Sequence, residues 1–444
     1  MRITIAGASG FIGKNLLKQI SKEYQIRGLS RSEKESQGNL EWFVADLFSY
    51  QSIKKALNDT DVAIYLVHSM LPTSRLFQGA FEDSDLLLAD NFARACKNNN
   101  VKQIIYLGGL DPVNSTSKHL ASRKEVEDVF RSTGIPTTVL RAGMVVGDEG
   151  SSFEILKNLV LNLPAMLLPM WTCSPTQAIY IDDLIRVILF SIESEDIQDK
   201  TINVVNGEPI TYRQLIEQSS EYFDGPNLLI PVPINYTSFS KLWVKIFGQS
   251  DYELVSPLID SLLCDLSYSE IPAEIQDLIQ FRSFKQMLHE IPKEKTQRSY
   301  RPKKDTSNTV RSIQRLSNNE ELDVDTVSDL YVQWLPGHMK NLIQVQSEDD
   351  LLNFSFSGIK QPLLILQRQK NNEDLDRIKF HIVGGILSKT SDTGWLEFRK
   401  ISGGKFTLAS INNFIPSLPW IIYKYSQAKV HLKVMRKFSE FLNR

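Results

Sequence analysis

Apolar positions in the first third of the chain fall into short, nearly continuous runs. Between them lie stretches whose apolar residues recur every three to four positions. The runs 2–7 (RITIAG), 24–30 (YQIRGLS), 40–46 (LEWFVAD), 62–67 (VAIYLV), 103–109 (QIIYLGG) and 136–143 (PTTVLRAG) read as strands. The stretches 11–22, 50–57, 81–98 and 117–132 read as amphipathic helices. Strands alternating with helices predict right-handed crossovers and a parallel sheet, and near-continuous apolar strands predict that both its faces are covered.

The pattern loosens over 144–290, where the turn Gly147–Gly150 precedes SFEILKNLVLNL, IYIDDLIRVILFSI, INVVNG and TYRQLIEQSSEYF. These predict a small substrate lobe grafted onto the sheet, so that 1–290 forms one Rossmann-type, doubly wound α/β domain. Residues 291–320 are polar and basic (Lys293, Lys295, Arg298, Arg301, Lys303, Lys304) and read as a solvated linker, although such a run can also meet phosphates or anionic lipid. From 321 to 444 six short runs (NLIQV, LLNFSFSG, PLLILQRQ, RIKFHIVGG, GWLEFRKI, FTLASINNF) are separated by turn residues. A helical pattern follows from Leu418 to Leu442. Ile422, Tyr425, Val430, Val434, Met435, Phe438 and Phe441 can share its apolar face. The prediction is a C-terminal α+β domain, an antiparallel sheet closed by a long C-terminal helix.

Composition adds limits rather than direction. The 444 residues are 42% hydrophobic and 23% charged with a net charge of -2, so an ordinary globular protein of two or three domains is expected. Global charge gives no argument for a nucleic-acid partner. Cys96, Cys173 and Cys264 lie far apart without CxxC spacing, so neither a metal site nor a disulfide framework is expected. The N-terminus lacks the charged and apolar regions of a leader, and the longest apolar stretch, 158–170, is broken by Pro164 and Pro169. A cytoplasmic protein is expected.

The first candidate for chemistry is GASGFIG, which places Gly7, Gly10 and Gly13 between a strand and a helix. Gly7 permits a tight turn, Gly10 lets backbone approach a pyrophosphate, and Gly13 lets the helix pack on the strand. Amides around Ser9, Phe11 and Ile12, at a helix start, suit the anion. An acid about 20 residues past the glycines would bind a ribose 2′-hydroxyl. That place reads Leu29-Ser30-Arg31-Ser32. Arg31 can instead fork onto a 2′-phosphate, with Ser30 donating, which favours NADP; Glu33 keeps NAD as the alternative. Asp46, with Leu47, either meets the adenine or caps its own turn.

These segments, with NFARACKNNNVKQIIYLGGL, HLASRKEVEDVFRSTGIPTTVLRAGMVVG and QAIYIDDL, resemble the atypical, extended short-chain dehydrogenase/reductase superfamily. The resemblance is closest to a bacterial branch of NmrA-like and complex-I-accessory-subunit-like proteins, and it spans about residues 1–290. Residues 310–444 resemble the uncharacterised C-terminal domains of such proteins. The resemblance implies a Ser, a Tyr and a Lys in a YxxxK pair. Here Gly108 and Gly109 stand where the Ser is sought, His119 at the Tyr position and Arg123 at the Lys position. It also places His68, Ser69 and Met70 near a nicotinamide ribose, with Val67 before them among the expected cofactor-binding residues. An unperturbed histidine titrates near neutrality, so His119 can act as general acid, whereas Arg123 keeps its charge and can hold hydroxyls but not shuttle a proton. Arg141 is expected to line the pocket or to pair with Asp148 or Glu149. Ser151 and Ser152 are expected as helix caps. The apolar segment 158–171 is expected over a pocket for an apolar ligand.

Three functions remain open at this point. One is an NADP-dependent oxidoreductase or epimerase-like enzyme on an apolar or sugar-derived carbonyl. The second is a non-catalytic NADP(H)-binding sensor or assembly factor. In the third the C-terminal domain encloses a lipid or quinone, or docks on a partner. The stretch PWIIYKYSQAKVHLKVMRK suits either a membrane surface or a core-packing helix.

Overall fold

The computed structural model describes residues 1–68, 74–112, 117–163, 165–225, 228–233, 261, 264, 266, 268–293, 308–369, 376–389, 393–401 and 406–443. Ser69, Met70 and the linker residues from Lys295 to Lys304 lie outside them. The chain divides into two compact units, Met1–Met70 with Leu88–Arg301, and Leu71–Leu87 with Pro302–Arg444.

The first unit is built on seven strands: β1 (Arg2–Ala6), β2 (Gln25–Ser30), β3 (Leu40–Val44), β4 (Val62–Tyr65), β5 (Gln103–Gly109), β6 (Thr137–Ala142) and β7 (Thr201–Val204). Among the described residues they form one sheet in the order β3-β2-β1-β4-β5-β6-β7, and every pairing is parallel. The order reverses between β1 and β4, the switch point at which open α/β sheets take their ligands. Its helices are α1 (Phe11–Gln19), α2 (Tyr50–Ala56), α3 (Phe81–Asn98, of which the residues up to Leu87 belong to the second unit), α4 (Lys118–Arg131), α5 (Ser151–Asn162), α6 (Ile181–Glu193), α7 (Tyr212–Tyr222) and α8 (Phe284–His289).

Both faces of the sheet are covered, as the apolar strand runs demand. On one, Ile3, Ile5, Ile64, Ile105 and Leu140 pack with Leu16 of α1 and Leu184 and Ile188 of α6. On the other, Tyr65 of β4 meets Phe92 of α3 and Phe130 of α4, each with ring centroids 5.0 Å away. The lobe carries two short parallel pairs, Met144–Val146 with Ala178–Tyr180 and Ala165–Leu168 with Leu228–Pro231. Fully buried Asp183 anchors it: Arg282 Nη1 donates to Asp183 Oδ2 at 2.8 Å, and Arg282 Nε reaches Glu290 at 2.8 Å.

The second unit differs from a contiguous C-terminal domain. Its strands are β8 (Val310–Ser317), β9 (Ile343–Glu348), β10 (Leu351–Phe356), β11 (Leu364–Arg368), β12 (Arg377–Gly384), β13 (Trp395–Lys400) and β14 (Phe406–Phe414). They join in the order β9-β10-β11-β12-β13-β14-β8, all antiparallel. An eighth strand, Leu76–Gln78, adds to β8 in parallel with Leu76 opposite Val310. The helices are α9 (Val324–His338), α10 (Trp420–Tyr425) and α11 (Gln427–Leu442).

Two expectations are corrected here, and one further helix is found. The stretch 291–320 is not all linker, because its last residues form β8, whose Arg311 is buried and donates to Asn412 at 2.9 Å. Helix α9, capped by Asp323 accepting from the Thr326 amide at 2.7 Å, was not anticipated. The C-terminal helix is broken at Ser426, where φ is -118° and ψ is -90°. Of its supposed apolar face only Val434, Met435 and Phe438 are buried, while Ile422, Tyr425, Val430 and Phe441 are exposed.

Candidate functional site

Because all strands of the first sheet run the same way, the segments leaving β1, β2, β3, β4 and β5 emerge along one edge. Those segments carry Gly7–Gly13, Arg31, Asp46–Leu47, Val67–His68 and Gly109–Leu110. The sheet therefore brings together the described residues singled out from sequence.

The glycine turn is built as its spacing requires. Gly7 has φ +89°, a conformation that side chains rarely adopt, and its carbonyl accepts from the Gly10 amide at 2.9 Å. A Cβ on Gly13 would fall 2.4 Å from the Gly7 carbonyl oxygen, so only glycine lets α1 approach β1 this closely. Gly10 is the exposed N-cap of α1 and supplies no side chain to bond the first-turn amides. Exposed Ser9 lies in the same turn, next to those amides of Phe11 and Ile12, which suit an anion. The Phe11 ring itself packs into the space left by Gly147 and Gly150.

Past β2, Ser30 is buried and its Oγ accepts from the Ser32 amide at 3.3 Å. Arg31 is exposed, with no ion pair or hydrogen bond among the described residues. Asp46 Oδ1 accepts from the Phe48 amide at 3.1 Å, capping its own turn, and the Leu47 carbonyl accepts from Asn91 at 2.8 Å.

His119 sits in the first turn of α4. Its Nδ1 lies 3.0 Å from Ser261 Oγ, which is 2.9 Å from Ser117 Oγ, the cap of the same helix. The His68 ring packs against it with centroids 4.8 Å apart and planes at 49°. Arg123, one turn on, donates to the carbonyls of Leu107 and of Val67 (3.4 Å) and lies over the Tyr106 ring. The guanidinium thus clamps two strand ends.

Beside His119 opens a cavity of about 200 Å³. Gly109, Met144, Leu156, Leu159, Trp171 and Tyr212 give it a mainly apolar wall. Burial pushes the Tyr212 hydroxyl up to about 12, so it stays protonated. Two expectations change here. Gly150, not a serine, caps α5, and Ser152 lines the cavity instead. Arg141 pairs with buried Glu127 at 2.7 Å and with Asp111, while Glu149 pairs with Lys14 at 2.9 Å. Sequence reasoning missed Ser261, which lies 142 positions from His119 and carries no motif.

Comparison with known proteins agrees with this geometry. Residues 7–160 match the family of NAD(P)H-binding domains. Auxiliary protein GraX of Staphylococcus aureus is 29% identical over 124 residues, which is 27% of this chain and 40% of GraX. This chain therefore spans well under half the length of that relative. A nucleoside-diphosphate-sugar epimerase from Staphylococcus aureus superposes with a TM-score of 0.52 at 18% identity, over 65% of this chain and 99% of that one. Triphenylmethane reductase of Citrobacter, solved with NADP(H), gives 0.50 at 17% identity with the same coverage. Residues 7–160 of the first unit are thus similar to NAD(P)H-binding domains, and the two solved structures share its fold, a parallel Rossmann-type sheet.

Proposed function

We propose that this protein is an NADP(H)-dependent reductase or epimerase-like enzyme for a small apolar carbonyl compound, with His119 as its general acid. The observation that carries this reading is the position of His119, at the wall of the apolar cavity and at the carboxyl edge of the sheet. An imidazole at the wall of a mainly apolar cavity suits protonation of a carbonyl oxygen. Ser261 and the His68 ring fix the imidazole, and a cavity of about 200 Å³ calls for a small substrate. Arg123 holds the strand ends in place and moves no proton. NADPH, when bound, supplies the hydride.

His119→Ala is expected to lower NADPH consumption with small aldehydes and quinones about 100-fold, the usual scale of one general acid. Equal rates for wild type and variant overturn the assignment. Exposed Arg31 and the missing acid after β2 support NADP over NAD. Arg31→Ala is expected to weaken NADPH binding about 10–100-fold, the scale of hydrogen bonds to a charged group, with NADH binding unchanged. Fluorescence titration with both nucleotides checks it, and equal losses for the two count against a 2′-phosphate contact.

A second reading, nucleotide binding without turnover, is favoured by one observation. Arg123 is engaged on the Leu107 and Val67 carbonyls, where the superfamily uses a lysine to hold ribose. NADPH binding with no consumption across the panel selects it.

A further inference from the structure

We propose that the α10–α11 surface of the second unit docks on an anionic lipid bilayer, lying on the membrane rather than crossing it. Among the described residues, no helix is long and apolar enough to cross a membrane.

The first observation is apolar exposure. Ile421 is 76% exposed, Tyr425 62%, Ile422 53% and Val430 50%. These four lie within ten residues of one another, on either side of the break at Ser426. Single exposed apolar residues are ordinary, but two isoleucines, a valine and a tyrosine exposed within ten residues are not.

The second observation is charge. No Asp or Glu occurs from Phe398 through Ser439, while Lys424, Lys429, Lys433, Arg436 and Lys437 all do; Glu440, on the same side, pairs with Lys437 at 2.6 Å and Arg436 at 3.9 Å, so Lys424, Lys429 and Lys433 carry the net positive charge. All five cations are exposed. At about 100° per residue, Lys429, Lys433, Arg436 and Lys437 share one side of α11, with Val430 at its edge. The opposite side, Ala428, Val434, Met435, Phe438 and Leu442, is buried. That side already supplies the helix's core contacts, so packing within the unit does not account for the exposed one.

The third observation joins the two. Lys429 Nζ lies 5.0 Å and Lys424 Nζ 5.7 Å from the centroid of the exposed Tyr425 ring. Cations therefore flank an amphipathic ring among aliphatic side chains. An interfacial tyrosine with lysines reaching to headgroups has this composition. Each Lys or Arg near an anionic leaflet adds attraction that falls off within a Debye length, and the buried apolar groups add the part that salt does not screen. An acidic protein partner seated in the cavity lined by Lys433, Arg436 and Lys437 would match the charge, but it would leave the exposed Ile421, Ile422 and Tyr425, which do not line that cavity, uncovered. The bilayer, anionic at its surface and apolar beneath, matches both the cations and the exposed apolar side chains.

Co-sedimentation of the full chain with vesicles tests this. Vesicles of phosphatidylcholine with about one-third phosphatidylglycerol are expected to bind it, and vesicles of phosphatidylcholine alone to bind at least tenfold more weakly, the contrast expected of a polybasic surface. Raising salt from 0.1 M to 0.5 M is expected to release most of the bound protein. Two triple variants, Ile421→Ser with Ile422→Ser and Tyr425→Ser, and Lys424→Glu with Lys429→Glu and Lys433→Glu, are each expected to bind anionic vesicles at least tenfold more weakly. All six side chains are exposed, so circular dichroism and thermal melting should match wild type. Equal binding to both vesicle types, no binding to either, or variants that bind like wild type would overturn the proposal. So would a concentration-dependent dimer that both triple variants abolish, since a second copy would then cover the surface.

Discussion

Glu127→Ala is expected to destabilise the first unit by about 3–5 kcal/mol, the cost of removing one partner from a buried ion pair. The carboxylate sits on α4 at 3% exposure, where Arg141 Nη2 of β6 donates to it at 2.7 Å. Lys124 lies at 2.9 Å and Arg131 at 3.3 Å. Without it, Arg141 keeps a half-buried charge with only the exposed Asp111 for company. Burial alone would raise the Glu127 pKa, but Arg141 and Lys124 outweigh it and hold the carboxyl below its usual range. A depressed folded pKa means that this stabilisation is present above the unfolded value, about 4.3, and lost as pH falls through the folded one. Urea melts of wild type and variant should therefore differ fully at neutral pH and converge in strong acid. A difference below about 1 kcal/mol at neutral pH would mean that the pair behaves like a solvent-screened surface contact.

Gly13→Val is expected to destabilise by about 3 kcal/mol, the upper end of overpacking costs, and to abolish NADPH binding. Helix propensity predicts the reverse sign, since glycine inside a helix is the less favourable residue. Overlap decides, because the new Cβ would meet the Gly7 carbonyl oxygen at 2.4 Å and Ala8 Cα at 2.6 Å. Both are backbone atoms that no rotamer change can move. Relief would require α1 to shift off β1, which displaces the first-turn amides. Thermal melting with and without NADPH reads both effects, and a variant as stable as wild type would show that α1 is not held at this distance.

The parts legible in sequence were those written in local patterns. Helix α3 follows from its apolar period, and the glycine turn from residues whose backbone conformation admits little else. What escaped depended on contacts made far along the chain. The strand β8 (VRSIQRLS) reads as polar because Arg311 and Arg315 interrupt it, yet Asn412 and Asp83 satisfy those guanidiniums in the fold. Helix α9 carries Pro336 and Gly337 near its end, which mask its period. In the site, the type of residue at 119 and 123 was readable, but not its use. That Arg123 spends its fork on strand-end carbonyls, and that Ser261 meets His119, are tertiary facts.

The strand Leu76–Gln78 has a consequence for how the chain is made. Its partner Val310–Ser317 leaves the ribosome about 230 residues later. At synthesis rates of roughly 5–20 residues per second, its edge waits about 10–50 s before β8 exists. An edge left open for that long is a hazard for mispairing. The same arrangement means that a fragment starting at 302 lacks a strand of its own sheet, and that one ending before 310 leaves 76–78 without its neighbour. The gene cannot be cut at the basic stretch into two self-sufficient pieces, although composition alone suggests that it could.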